Sequence, residues 1–473
     1  MKRIIISSII LLLFLTAKAD IKLPAIFSDN MLMQQKTQVN IWGQASANKT
    51  VTIKASWNKK AIKTTADANG NWKAVLTTPV TDGKTHNLSI SDGKSITINN
   101  ILLGDLWFCS GQSNMEMPMK GYKNQPIEGG TMDILNSKNN SIRIFTIKRN
   151  ASLTPLTDVT GQWQEANPET IREFSATAYY FGRQLNKSLQ IPIGLLHSSW
   201  GGSSVEAWMS KEMLEAYPQA KIPTSAEGIK DKNRTPTMLY NAMVYPVLGM
   251  TIKGFIWYQG ESNYDRANTY TSMFSDLVKG WRAKWAQKDT IPFYYCQIAP
   301  YDYSLVTAKG KDVINSAFLR EAQAKAEFSI PKSGMAVLMD AGLKECIHPS
   351  KKQVAGERLA LLALVKTYRI KGITAESPVY KSIEIHNDTV QISFERTDLW
   401  ITAKNAELKQ FKVAGEDKVF YPAKAWIVRS KVYVKSEQVA KPVAVRYAFE
   451  NYTDADLFDT EGLPVSSFRS DNW

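Results

Sequence analysis

The chain has 473 residues, 44% of them hydrophobic and 22% charged, which is ordinary for a globular protein of two or three well-buried domains. Its net charge of +14 comes from scattered lysines, with only short pairs such as Lys59-Lys60 and Lys351-Lys352, so no polybasic run points to nucleic acid. Cys109, Cys296 and Cys346 are an odd number and neither C-x-x-C nor H-E-x-x-H occurs, so a fully paired disulfide set is excluded and no metal site or cofactor is expected.

Residues 1–19 read MKRIIISSIILLLFLTAKA, with a basic start at Lys2 and Arg3, an apolar core from Ile4 to Leu15, and an A-x-A site at Ala17-Lys18-Ala19. That is the pattern of a cleaved secretory signal, and its core is too short to span a membrane comfortably. The expectation is an exported protein, free of the membrane after cleavage, in a bacterial periplasm.

Residues 20–100 predict an N-terminal β-sandwich-like domain. Val39 to Gly43 and Val51 to Ala55 alternate with period two, Asn69-Gly70 is a turn before Trp72, and His86 to Ile90 and Ser95 to Ile98 are further short strands. From 101 to 370 the period changes. Apolar runs at 102–109, 192–198, 252–258, 292–298 and 335–339 read as strands. Helical patterns fall near 175–188, 237–249, 269–286, 315–328 and 351–368. This alternation predicts βαβ units around a parallel sheet covered on both faces, with the ligand site beyond the carboxyl ends of its strands. Two loop-rich insertions are expected, 118–172 with a hairpin and 210–236 with one short helix. Strand alternation returns in a C-terminal β region over 375–473, for example at Val390 to Phe394 and Lys431 to Val434.

The candidate chemistry lies at the strand ends. The run Ile101 to Cys109 closes at Ser110-Gly111, which places Ser113 at the carboxyl end of a strand. A serine there is a nucleophile if a base reaches it, and a solvated turn residue if none does. No G-x-S-x-G pentapeptide occurs, which argues against an α/β-hydrolase elbow. Strand 192–198 is followed by Gly201-Gly202, able to turn backbone N–H groups toward a ligand or simply to start a helix. Strand 252–258 is followed by Gln259, whose amide could donate to a developing oxyanion, an interaction worth roughly 3–4 kcal/mol in the transition state. Four histidines limit the choice of base. His86 and His386 fall in the β regions, His197 ends a strand and reads as a core residue, and His348 follows the strand at 335–339 on a loop.

The longer stretches carry a resemblance. GDLWFCSGQSNMEMP, from Gly104 to Pro118, resembles the nucleophile block of the sialate O-acetylesterase family, part of the SGNH hydrolases, which are flavodoxin-like serine esterases. WGGSSVEAW from Trp200, IKGFIWYQGESN from Ile252, CIHPSKKQVAGERLA from Cys346 and the closing LPVSSFR from Leu463 resemble its later blocks. The resemblance runs along nearly all of the chain after the leader. It implies an α/β fold, a flavodoxin-like SGNH three-layer domain with a parallel sheet, flanked by all-β regions at both ends.

It also implies Ser113 as nucleophile and His348 as base. The oxyanion hole would be the Ser113 N–H, Gly202 (alternatively Gly201) and Gln259 (alternatively Asn263). Gln112, Asn114, Trp200 and Glu261 are the residues expected around the substrate, with Glu261 holding the loop or placing another site residue. The family's carboxylate three residues before the histidine is here Glu345, one methylene longer than Asp. Asp340, or a Ser–His dyad with a backbone carbonyl orienting the histidine, is the alternative. The implied substrate is 9-O-acetyl sialate. The rivals are an esterase for acetylated xylan or another acetylated glycan, and a non-catalytic glycan-binding protein.

Overall fold

The computed structural model describes residues 21–473 other than 286, 288, 289, 399 and 406. The expected signal segment therefore lies outside the described residues. Short strands open the described chain: β1 (Leu32–Gln34), β2 (Thr37–Gln44), β3 (Thr50–Ala55), β4 (Ile62–Thr65), β5 (Asn71–Thr78) and β6 (His86–Ser91). β2 pairs antiparallel with β5, and β3 with β4 and β6. Their alternate residues, among them Val39, Ile41, Val51, Ile53, Trp72, Leu76, Leu88 and Ile90, turn inward into one buried cluster.

A single strand, β7 (Ser95–Gly111), then carries the chain out of this region. Its first residues alternate in exposure and pair antiparallel with β6. From Ile101 on every residue is buried, as a parallel strand covered on both faces must be. β1 pairs parallel to it from Leu32 on Leu102. The boundary expected at residue 100 thus falls inside one continuous strand, and the first β region grows out of the main sheet.

The elements that follow are α1 (Ser113–Glu116), α2 (Gly130–Leu135), β8 (Asn139–Thr146), β9 (Trp163–Ala166), α3 (Pro168–Glu173), α4 (Ala176–Leu189) and β10 (Ile193–Ser199). Next come α5 (Lys211–Leu214), β11 (Gly254–Tyr258), α6 (Ala267–Trp285), β12 (Phe293–Cys296), α7 (Ala317–Ser329), β13 (Ser333–Ala336) and α8 (Lys352–Leu362). The strands lie in the order β13-β12-β11-β7-β10-β8-β9, parallel except for β9. Within it β10-β7-β11-β12-β13 is a 2-1-3-4-5 arrangement in chain order. The chain leaves β7 to one side and returns on the other at β11, and that reversal opens a crevice at the carboxyl ends of the strands. Trp107 and Cys109 point into the cluster shared with α4 and α8, while Leu106 and Phe108 point into the cluster shared with α6 and α7. The result is a mixed α/β sheet with helices on both faces.

Two stretches differ from expectation. Residues 237–249 form a π-helical turn, Tyr240–Val244, and a 3₁₀ turn, Tyr245–Val247, because Pro246 supplies no N–H to continue an α-helix. The insertion at 118–172 contains an antiparallel pair, β8 with β9, and β8 also extends the parallel sheet beside β10. Its apolar run is interrupted by Arg143, a buried guanidinium paired with Glu165 at 3.0 Å and bonded to Asn100 Oδ1 at 3.1 Å.

The C-terminal region forms small antiparallel sheets, built from Val379–His386, Thr389–Glu395, Lys424–Val428 and Lys431–Lys435, and from Phe411–Ala414, Phe420–Pro422, Ala444–Tyr447 and Phe468–Arg469. Buried Arg320 of α7 ties this region to the main layer, donating to Ser467 Oγ at 3.0 Å and to the carbonyls of Asn451 and Glu450. Among the described residues no helix is long and apolar enough to cross a membrane.

Candidate active site

The nucleophile turn begins at Gly111, whose φ of +142° suits glycine, and where a Cβ would stand 2.1 Å from the Tyr258 carbonyl oxygen. Gln112 donates its N–H to that same carbonyl at 2.9 Å. Its side chain turns inward, and Oε1 accepts from the N–H groups of Gly260 (3.1 Å) and Ser262 (3.3 Å). Ser113 follows at the first position of α1, partly exposed in the crevice. The loop after β10 presses against it, for a Cβ on Gly201 would lie 3.3 Å from the Ser113 Cβ.

The backbone donors around Ser113 are not equivalent. The Gly201 N–H is spent on Glu116 Oε2 at 2.7 Å. Those of Ser113 and Gly202 have no hydrogen-bond partner among the described residues. Glu116 also holds Arg149 in a two-pronged pair at 2.6 Å on each arm, and that guanidinium lies 5.7 Å over the ring of half-buried Trp200.

His348 sits on the loop between β13 and α8. Its Nδ1 is 2.9 Å from Gln125 Oε1, and the Tyr122 ring stands edge-on to the imidazole at 5.3 Å. Tyr122 reaches back to the Ser113 carbonyl at 3.5 Å. Burial, with the Lys352 charge adding to it, pulls the His348 pKa down to about 4, so the imidazole is neutral at neutral pH.

Beneath the two lies a buried network. Asn114 donates Nδ2 to Glu261 Oε1 and to the Ile347 carbonyl at 3.0 Å, and its Oδ1 accepts from Lys352 Nζ at 2.5 Å. Lys352 also donates to the Pro349 carbonyl at 2.9 Å. Asn114, Glu261 and Lys352 are 1%, 5% and 1% exposed. Burial pushes Glu261 up, and pulls Lys352 down to about 7 against the opposing pull of Glu261. The network ties the nucleophile turn, the loop after β11 and the histidine loop together.

Several expected roles change on this geometry. Gln259 donates Nε2 to the Ser203 carbonyl (3.1 Å) and to Asn263 Oδ1 (2.7 Å), and its Oε1 accepts from Tyr270 (2.8 Å). Both amide protons are spent, so it braces the loop and has none for an oxyanion. Asn263 is likewise enclosed, with Nδ2 on Glu206 and Oδ1 on the Val205 N–H. Gln112, Asn114 and Glu261 are buried braces below the crevice and do not line it. Of the residues expected around the substrate, Trp200 alone is partly exposed.

Neither expected acid reaches His348. Asp340 is committed to Arg358 at 2.6 and 2.8 Å. Glu345 is exposed on the turn bridged by Leu343 and Cys346, which aims it at solvent. His197 is buried in β10, its Nε2 2.5 Å from Ser199 Oγ. All three cysteines are free thiols, and among the described residues no group of three or more His, Cys, Asp or Glu side chains could hold a metal.

Sequence reasoning missed Tyr122, Gln125, Glu116, Arg149 and Lys352. The turn-forming GYKNQP just after the nucleophile block was the available signal for the first two.

The family model for carbohydrate esterases described as sialic acid-specific acetylesterases matches residues 103–360. Human sialate O-acetylesterase is 30% identical over 392 residues, covering 76% of this chain and 73% of that protein. The rat sialate O-acetylesterase is 27% identical over 514 residues, 94% of each. The crystal structure of a carbohydrate acetylesterase from Xanthomonas citri superposes with a TM-score of 0.86 at 32% identity, covering 96% of this chain and all of that one.

Proposed function

The chain belongs to the sialic acid-specific acetylesterase family and is a carboxylic-ester hydrolase, and from that premise we propose that it removes O-acetyl groups from sialic acid through an acetyl-serine intermediate. The observation that carries the mechanism is the pair of unspent N–H groups, of Ser113 and Gly202, beside a crevice serine. Ser113 Oγ attacks the acetyl carbonyl carbon while His348 Nε2 takes its proton. The two N–H groups receive the oxyanion, with Gly202 preferred over Gly201 because only its donor is unspent. Collapse expels the sugar oxygen, which leaves with the proton from His348. Water, deprotonated by His348, then attacks the acyl-serine, and acetate departs as His348 returns the proton to Ser113 Oγ.

Sialic acid brings a carboxylate, which calls for a cation near the crevice. Arg149 is neutralised by Glu116, whereas exposed Arg234 donates Nε to the Gly202 carbonyl at 3.2 Å and has no carboxylate partner among the described residues. We assign Arg234 to that carboxylate. Another acetylated carbohydrate, such as acetylated xylan, is the second reading, since the Xanthomonas enzyme that matches nearly end to end is described as a carbohydrate acetylesterase. The strand order supports a flavodoxin-like SGNH layer, and the leader pattern of 1–19 supports export.

The test is acetate release from an aryl acetate, 9-O-acetyl sialate and acetylated xylan by wild type and Ser113→Ala. The expected result is wild-type turnover of the sialate ester above xylan, and loss of at least about 10⁴-fold in the variant. A Ser113→Ala enzyme as active as wild type would remove Ser113 from the mechanism. Preference for xylan would establish the second reading.

A further inference from the structure

The stretch Gly121 to Pro126, GYKNQP, holds two residues against the candidate base. Tyr122 and Gln125 exchange backbone hydrogen bonds at 3.0 Å in each direction, closing a tight turn in which Asn124 takes φ +61°. The turn brings the Tyr122 ring to the edge of His348 and Gln125 Oε1 to its Nδ1. We propose that Gln125 is the positioning residue of the catalytic set, its amide oxygen accepting the Nδ1 proton of His348 so that Nε2 is free for the Ser113 proton. The inference rests on the reading of His348 as the base.

A neutral acceptor fixes tautomer and ring orientation as a carboxylate would, but it adds no charge to oppose the imidazolium. The groups that face His348 are consistent with such a site. From α8 comes Lys352, a cation that disfavours protonation. Tyr122 supplies a phenol whose own pKa is raised by burial, so it is neutral. Cys346 donates Sγ to the His348 carbonyl at 3.2 Å. Glu116 reaches Tyr122 and Arg149, and no contact joins it to the imidazole among the described residues. With no carboxylate at Nδ1, the base stays deprotonated well below neutral pH, so the esterase keeps working in acid at the expense of charge stabilisation in the transition state.

The experiment compares wild type, Gln125→Ala and Gln125→Glu in the full chain with an aryl acetate across pH. Gln125→Ala is expected to lower kcat by about 10²-fold or more with KM within about twofold, since an unfixed imidazole loses its productive tautomer. Gln125→Glu is expected to retain activity near pH 8 while the acid limb of kcat/KM moves up by about one to three pH units, the effect of an adjacent carboxylate. NMR titration of His348 in Ser113→Ala, with and without Gln125→Glu, reads the same upward shift without turnover. It therefore tests the contact even if the esterase reading fails. Gln125→Ala within about twofold of wild-type kcat, or a His348 titration unmoved by Gln125→Glu, would overturn the assignment.

Discussion

Ser113 and His348 are held by different means. Ser113 stands on the end of a fully buried strand, and the residue after it is clamped between Glu261 and Lys352 in an enclosed charged network. His348 stands on a loop, and the side chains that touch its ring are an amide and a phenol from one tight turn, with the Lys352 cation acting on it from α8. In the proposed mechanism the difference separates tasks. The nucleophile side must keep backbone N–H groups in fixed positions to receive an oxyanion, which calls for rigid support from below. The base side must allow an imidazole to gain and lose a proton, which neutral contacts disturb less than buried charge would.

The largest effect should come from breaking the buried network. Lys352→Met leaves Glu261 without its cation, and removal of one member of a buried charged set typically costs about 3–5 kcal/mol of folding stability. Urea unfolding should register that loss, and Lys352→Met with Glu261→Gln should recover much of it. The pH dependence has a definite sign. Lys352 is held down to about 7 from an ordinary 10.5 by burial. Below about pH 7 the lysine is charged in both states and its burial costs stability. Between the two values the unfolded chain binds a proton the folded chain has released, so this group makes stability rise with pH. Lys352→Met should abolish that rise, and an identical rise in the variant would mean that another group produces it.

The same contrast explains what could be read from the chain beforehand. The strands of the main sheet were legible because parallel strands buried on both faces are written as apolar runs, and the motifs sit at their ends because open sheets bind there. β8 was not legible, because its buried Arg143 breaks the run and is made tolerable only by Glu165 and Asn100. Hydrogen-bond saturation was not legible either. Gln259 and Gln112 have donors and acceptors suited to a ligand, and the structure spends them on loops that meet only in the fold. The partner of His348 lies 223 residues away in the chain, whereas the family resemblance pointed to Glu345, three residues before it.

A smaller effect tests the rim of the crevice. Arg234→Gln removes the exposed cation beside Gly202, together with its hydrogen bond to the Gly202 carbonyl, and touches neither Ser113 nor His348. A charge-assisted hydrogen bond contributes about 1.5–3 kcal/mol, so KM for 9-O-acetyl sialate should rise about tenfold or more, with kcat on a neutral aryl acetate unchanged. Equal loss on both substrates would place Arg234 in the support of the Gly202 loop and leave the carboxylate to another cation.

The smallest effect is the sharpest test of the histidine side. Glu345 occupies the sequence position of a triad carboxylate, and losing the function of such a group costs about 10⁴-fold in kcat. In this fold it is exposed on the turn between Leu343 and Cys346, while the Nδ1 it would have to accept from faces Gln125. Glu345→Gln should therefore leave kcat within about twofold of wild type and thermal stability unchanged, as expected for an exposed side chain with no partner among the described residues. A loss of tenfold or more would mean that the loop rearranges when substrate binds and that the carboxylate displaces the amide. Activity retained by Glu345→Gln and lost by Gln125→Ala would fix the neutral residue as the one that orients the base.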